Sequence, residues 1–181
     1  ANNTVVGYQS AKVLTTGGNN TAFGEGTMVD LVEGTDNIAI GKAAFGGALD
    51  ATADASTNNI FIGKDSGGGA WVTAVSNYNV AVGNLTMDAA MNGALYNVAL
   101  GHGALTALTE GDYNIAIGGQ CGVAITTGSQ NVLIGTSAGD GLIVETNNVV
   151  IGHDAMSHAN PQADNCVVVG AAAMGGDLTS A

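Results

Sequence analysis

The sequence predicts an all-β chain, a parallel β-solenoid of about ten rungs, each 17–22 residues long. Three observations predict it. The pattern Asn-apolar-apolar-apolar-Gly recurs from one end to the other, with its glycines at Gly7, Gly24, Gly41, Gly63, Gly83, Gly101, Gly118, Gly135, Gly152 and Gly170. The gaps between them are 17, 17, 22, 20, 18, 17, 17, 17 and 18 residues, and a short fixed period is how a stacked-repeat architecture announces itself. Composition agrees: 29 glycines, one proline and 46% hydrophobic residues suit short strands joined by tight corners and are too apolar for a disordered chain.

Each part of the rung has a physical reason. The unit opens on an Asn in nine of the ten rungs (Asn3, Asn20, Asn37, Asn59, Asn79, Asn97, Asn114, Asn131, Asn148), with Cys166 in that slot of the last. Amides repeated at one position of stacked rungs can hydrogen-bond up and down as a ladder. Three residues of strand follow, and in a strand alternate residues share a face. The first and third (Ile115 and Ile117, for example) are therefore expected to fill the coil, with the middle column, largely alanine, pointing out of it. That middle column is never polar. A strand apolar on both faces is covered on both faces, and a slender coil has one interior, so a second surface is expected: further copies of the chain, best arranged as a parallel homotrimer. Beyond the glycine comes a small residue (Ser10, Thr27, Ala44, Cys121), then mostly Met, Leu, Phe or Gly (Met28, Phe45, Leu105), then a third apolar position (Leu14, Leu31, Leu108, Ile125, Leu142). A polar turn such as Thr126-Thr127-Gly128-Ser129-Gln130 closes the rung.

Charge removes whole classes of partner. Three lysines (Lys12, Lys42, Lys64) and no arginine stand against fifteen acidic residues, for a net charge of −12. Neutralising a nucleic-acid backbone takes a patch of Lys and Arg, as does attraction to an anionic membrane surface, so neither partner is expected. No apolar run reaches the 18 residues of a membrane-spanning helix. Cys121 and Cys166 lie three rungs apart, about 14 Å at the spacing of stacked strands, too far for a disulfide; free thiols are expected, with Cys121 as a small core residue.

Candidate site residues are few. Trp71, the only tryptophan, sits beside Gly67-Gly68-Gly69 in one of the two longest rungs, and insertions in repeat proteins often map to a binding face. It is expected to fold over the coil, with glycan contact as the alternative. Tyr78, Tyr96 and Tyr113 each precede the strand Asn in successive rungs and should stack as an aromatic ladder; a sugar-binding stripe is the sharper alternative. His102 and His153 fall three rungs apart and cannot share one metal within a chain, and His153-Asp154 with Ser157 is triad-like in letters only. Gly63-Lys64-Asp65-Ser66 lacks the upstream glycine of a phosphate loop. The expectation is no catalytic residue, no metal and no cofactor.

With the rungs laid out, Asn3–Ser10, Leu14-Thr15-Thr16-Gly17 and Asn20–Gly24 resemble the repeats of bacteriophage tail-fibre proteins. The strands of Asn37–Gly41, Asn79–Gly83 and Asn114–Gly118 are similar to the head repeats of trimeric autotransporter adhesins. The resemblance covers essentially all of 1–181, read as a single repeat domain and as a segment of a longer fibrous protein. It implies a parallel homotrimer on a virion or cell surface, a non-enzymatic attachment segment that contacts its neighbours in the fibre and a cell-surface glycan or protein receptor. A period of 17 rather than about 14 favours the tail fibre. The alternatives are a bacterial adhesin head and, further off, a polysaccharide-degrading tailspike that would draw on a carboxylate in residues 47–77.

Overall fold

The computed structural model describes residues 2–49, 53–157 and 163–175. Residues 50–52 of the longest rung and His158 lie outside them. Ten three-residue strands are present among the described residues: β1 (Thr4–Val6), β2 (Thr21–Phe23), β3 (Ile38–Ile40), β4 (Ile60–Ile62), β5 (Val80–Val82), β6 (Val98–Leu100), β7 (Ile115–Ile117), β8 (Val132–Ile134), β9 (Val149–Ile151) and β10 (Val167–Val169). They form one parallel sheet in chain order. Register follows the repeat residue for residue, so that Ile115 pairs with Val132, Ala116 with Leu133 and Ile117 with Ile134. One short 3-10 turn, Ala53–Ala55, takes up part of the longest insertion. The β-solenoid expected from the period is the fold observed.

Corners hold the coil together. The residue before the strand Asn is left-handed in rung after rung, from Asn19 (φ 59°) through Tyr113 (φ 56°) to Asn165 (φ 59°). Two further left-handed residues follow the strand glycine at its second and fourth successors, as at Gln120 (φ 56°) and Gly122 (φ 58°). Most backbone bonds then run from rung to rung, with turn bonds such as Ile125 N to Gly122 O at 3.1 Å closing within one. Ile115 N donates to Asn131 O at 2.8 Å, and Gly118 N donates to Leu100 O at 2.8 Å.

The asparagine ladder is built as expected. Asn114 Oδ1 accepts from both the backbone N (3.1 Å) and the side-chain Nδ2 (3.0 Å) of Asn131. Asn114 Nδ2 donates to Asn97 Oδ1 (3.1 Å) and to Gly128 O (2.8 Å). The same set repeats from Asn3 upward, and Cys166 N ends it by donating to Asn148 Oδ1 at 2.9 Å. Every interior rung thereby buries an amide whose donors and acceptor are all used, which is the condition for burying a polar group without large cost.

The faces of the strand are the reverse of the expectation. The middle column points into the coil: Ala22, Ala39, Phe61, Ala81, Ala99, Ala116, Leu133 and Val150 are all buried. The first and third columns point out, giving an out-in-out pattern in every strand from β2 onward. The physical reason lies in the rest of the rung. Met28, Phe45, Met87, Leu105 and Met156, with Leu31, Trp71, Met91, Leu108, Ile125 and Leu142, already fill the interior. What remains beside them accommodates one small residue per strand, not two branched ones.

Candidate functional site

Turning the strands over converts the inferred second surface from an alanine column into an isoleucine and valine one. Twenty side chains, two per strand, form the outward face of the sheet, and all but Thr4 and Thr21 are apolar. Phe23 is 56% exposed, and Ile40, Val82, Ile117, Ile134 and Ile151 are each 37–38% exposed. Ten strands at about 4.8 Å spacing make this stripe roughly 43 Å long. It carries no charge.

Mostly polar residues border the stripe on both sides. Before the strand runs the left-handed corner column: Asn19, Asp36, Asn58, then Tyr78, Tyr96, Tyr113, then Gln130, Asn147 and Asn165. After the strand, just past the corner glycine, runs Tyr8, Glu25, Lys42, Lys64, Asn84, His102, Gly119, Thr136 and His153. Lys42 pairs with Glu25 of the preceding rung at 3.2 Å, an exposed bond of little energetic weight. A contiguous apolar patch framed by polar residues is how an interaction surface presents itself.

The three tyrosines form the expected ladder. Ring centroids of Tyr78 and Tyr96 are 4.8 Å apart with planes 4° from parallel, and those of Tyr96 and Tyr113 are 5.1 Å apart at 5°. Stacking occupies both faces of Tyr96 and one face of each neighbour. A sugar ring therefore has no tyrosine face to lie on along the ladder, only the two outer faces at its ends. Each tyrosine stands two residues before an outward strand residue (Tyr113 before Ile115), so the ladder widens the apolar stripe over three rungs.

Trp71 is fully buried. Its ring lies 4.6 Å from Phe45 and 5.5 Å from Phe61, edge-on to the latter. It occupies the third apolar slot of its rung and offers no ring to a ligand, so it is a core side chain and not a glycan contact. Its Nε1 is buried without a hydrogen-bond partner. Cys121 is likewise buried, and burial, the largest cause, pushes its thiol up to about 12; such a thiol is not a nucleophile at neutral pH. Both cysteines are free.

The polar groups of the Gly63–Ser66 segment and the His153 ring are engaged locally. Lys64 N donates to Asn84 Oδ1 at 2.8 Å and Ser66 Oγ lies 2.8 Å from Thr86 Oγ1, so the Gly63–Ser66 segment presents corner bonds, not a phosphate cradle. His153 Nδ1 sits 3.1 Å from Asp154 Oδ2 on the surface. Burial, then the neighbouring Asp65, raises the carboxyl of Asp88, with Lys64 pulling the other way. Among the described residues, no group of three His, Cys, Asp or Glu side chains could hold a metal ion, and no helix is long and apolar enough to cross a membrane.

The outward columns escape a reading of the strands alone because both strand faces are apolar. One signal in the sequence does place them. The two bulkiest residues of the middle column fall in rungs whose fourth residue past the glycine is Gly, Phe61 with Gly67 and Leu133 with Gly139. The third such glycine, Gly122 in the rung of Ala116, lies against Leu133 of the next rung. A Cβ on Gly67 would lie 2.7 Å from the Phe61 ring, and one on Gly139 would lie 2.9 Å from Leu133 Cδ2. Two positions that trade volume share one interior, and the fourth-successor column is evidently core.

No protein-family model, curated protein or solved structure matches the chain significantly.

Proposed function

We propose that this chain is a structural, non-enzymatic segment of a trimeric surface fibre, best read as a phage tail fibre used in attachment to the host cell. The observation that carries it is the uncharged, outward apolar stripe running the length of a rigid solenoid. Leaving such a stripe in water is unfavourable by roughly 25 cal/mol per Å² of apolar surface. Identical parallel copies bring stripes of equal length and equal rung spacing together. Three flat faces turned toward one axis cover all of them, leaving the polar turns outside. The product is a stiff rod presenting three equivalent outer surfaces, on which weak contacts with repeated cell-surface ligands sum through avidity.

The mass of the assembly in solution tests this. The parent chain should sediment as a trimer across a wide concentration range. Ile115→Glu combined with Ile117→Glu should give a folded monomer, because both side chains point out of the coil. A parent chain that is a stable monomer, or a double variant that stays trimeric, overturns the reading. Attachment has its own measurement: labelled trimer should co-sediment with cells in a panel of bacteria, and the monomeric variant should bind the same cells roughly 100-fold more weakly. Equal binding by both forms rules out multivalent display.

A further inference from the structure

The stripe alone is narrow for a stable contact. At about 43 Å by roughly 10 Å it falls below the ~800 Å² per partner of a standard interface, so the polar borders must contribute. Those borders are matched. The corner residue before each strand and the residue after its glycine are always six positions apart, one on each side of the stripe. Copies turned about an axis parallel to the solenoid place the leading border of one against the trailing border of the next. With rungs in phase, Asp36 meets Lys42, the only charged leading residue in the described rungs facing a residue of opposite sign. In phase, the bulky Tyr113 meets Gly119, the one glycine among the described trailing residues, and Tyr96 meets His102. A slip of one rung in one direction sets Asp36 against Glu25; in the other it sets Asp36 against Lys64 and Tyr96 against Gly119. A slip repeated from copy to copy, however, makes an open helix and not a closed ring of three. An antiparallel partner brings like borders together and leaves neither match.

We infer that neighbouring copies pack parallel and in phase, with the tyrosine ladder of one copy seated against the Asn84–His102–Gly119 border of the next. This rests on the trimeric reading above and specifies its contacts. The ladder is then an assembly element and not a sugar platform. It gives the contact an aromatic centre, the kind of residue that dominates interface energetics, in a molecule whose net charge of −12 otherwise repels its copies.

Disulfide trapping tests the pairing. In a Cys166→Ser background, Tyr113→Cys with Gly119→Cys should give covalent species of up to three chains under mild oxidation, resolved without reductant. One chain cannot close this bond on itself: the strand and both corners separate the two positions by on the order of 15 Å of backbone, against the ~7 Å limit for a disulfide. Gly119 has room, since the nearest atom to a Cβ there is His102 O at 4.0 Å. Tyr113→Cys with His153→Cys, two rungs or about 10 Å out of phase, should stay uncrosslinked. A trimer by sedimentation that crosslinks only in the out-of-phase pair, or in neither, overturns the register and leaves the fibre reading standing. A monomer by sedimentation overturns both.

Discussion

Gly118 shows how one residue fixes the repeat. Its φ of 143° belongs to a region that side chains avoid, and a Cβ there would lie 2.3 Å from Gly135 O of the next rung. The first problem is strain worth about 1–3 kcal/mol; the second is a collision with backbone that cannot step aside without parting the rungs. Gly118→Ala should therefore cost at least roughly 3 kcal/mol, seen as a lowered denaturation midpoint. Gly26 is a different kind of glycine. Its φ is 66°, nothing lies within 4 Å of its would-be Cβ, and other rungs place Gln9, Ala43, Asp65 and Gln120 at the same corner with φ of 53–56°. Gly26→Asn should change stability by no more than about 0.5 kcal/mol. Equal losses at the two sites would mean that the close approach of Gly118 to Gly135 is not what demands glycine. Ala116 belongs in the same comparison. It points into the coil and is fully buried, so a carboxylate there breaks the rung itself, whereas at Ile115 or Ile117 it meets only water or a neighbouring copy.

The asparagine ladder is the element that makes ten short strands behave as one sheet. Removing the Asn114 amide leaves Asn131 N and Nδ2 without their acceptor and Gly128 O without its donor, all inside the coil. Each buried group left unsatisfied costs about 1–3 kcal/mol. Asn114→Ala should thus destabilise by on the order of 3 kcal/mol or more, while Asn147→Ala, at an exposed corner amide bonded only to Thr146 Oγ1, should cost about 1 kcal/mol for the left-handed backbone. Comparable midpoints for the two variants in denaturant would show that the ladder is not a structural bond network. Both the ladder and the strands were legible in the sequence, because a fixed period puts like residues on like positions. The tyrosine stack was legible for the same reason. Which strand face is outside was not, since Ile115, Ala116 and Ile117 offer no polar alternation to orient them. Only the coincidence of the two bulkiest strand centres with glycines across the coil, Phe61 with Gly67 and Leu133 with Gly122 and Gly139, carries that information, and it lies across and between rungs rather than along the strand. Trp71 was ambiguous because a lone tryptophan beside three glycines reads equally as an exposed ring or a large core plug. Phe45 and Phe61 settle it as the plug.

At the scale of the whole molecule, a solenoid is held mainly by contacts between adjacent rungs, so whole rungs can be removed if the new neighbours fit. Two deletions of equal length separate fit from mere periodicity. Removing residues 98–114 joins Asn97 to Ile115 and sets the rung of Ala81 and Met87 against that of Ala116 and Gly122. Removing residues 115–131 joins Asn114 to Val132 and takes Gly122 away. Leu133 now occupies the room that Gly122 leaves: a Cβ on Gly122 would lie 2.7 Å from Leu133 Cδ1 and 3.0 Å from Leu105 Cδ2. Without that glycine rung between them, Leu133 and Leu105 are driven into one space, and overpacking a dense core costs typically about 1–3 kcal/mol. Both deletions preserve strand register, the asparagine ladder and the corner pattern. The 98–114 deletion should fold and unfold cooperatively with a modest loss, and the 115–131 deletion should be less stable by roughly 1–3 kcal/mol. If the two behave alike, rung order is interchangeable and packing between neighbours is not what selects it. If the 115–131 deletion regains the difference when Leu133→Ala is added, the column of strand centres is confirmed as the inside of the coil, and the isoleucine face as the surface left for other copies.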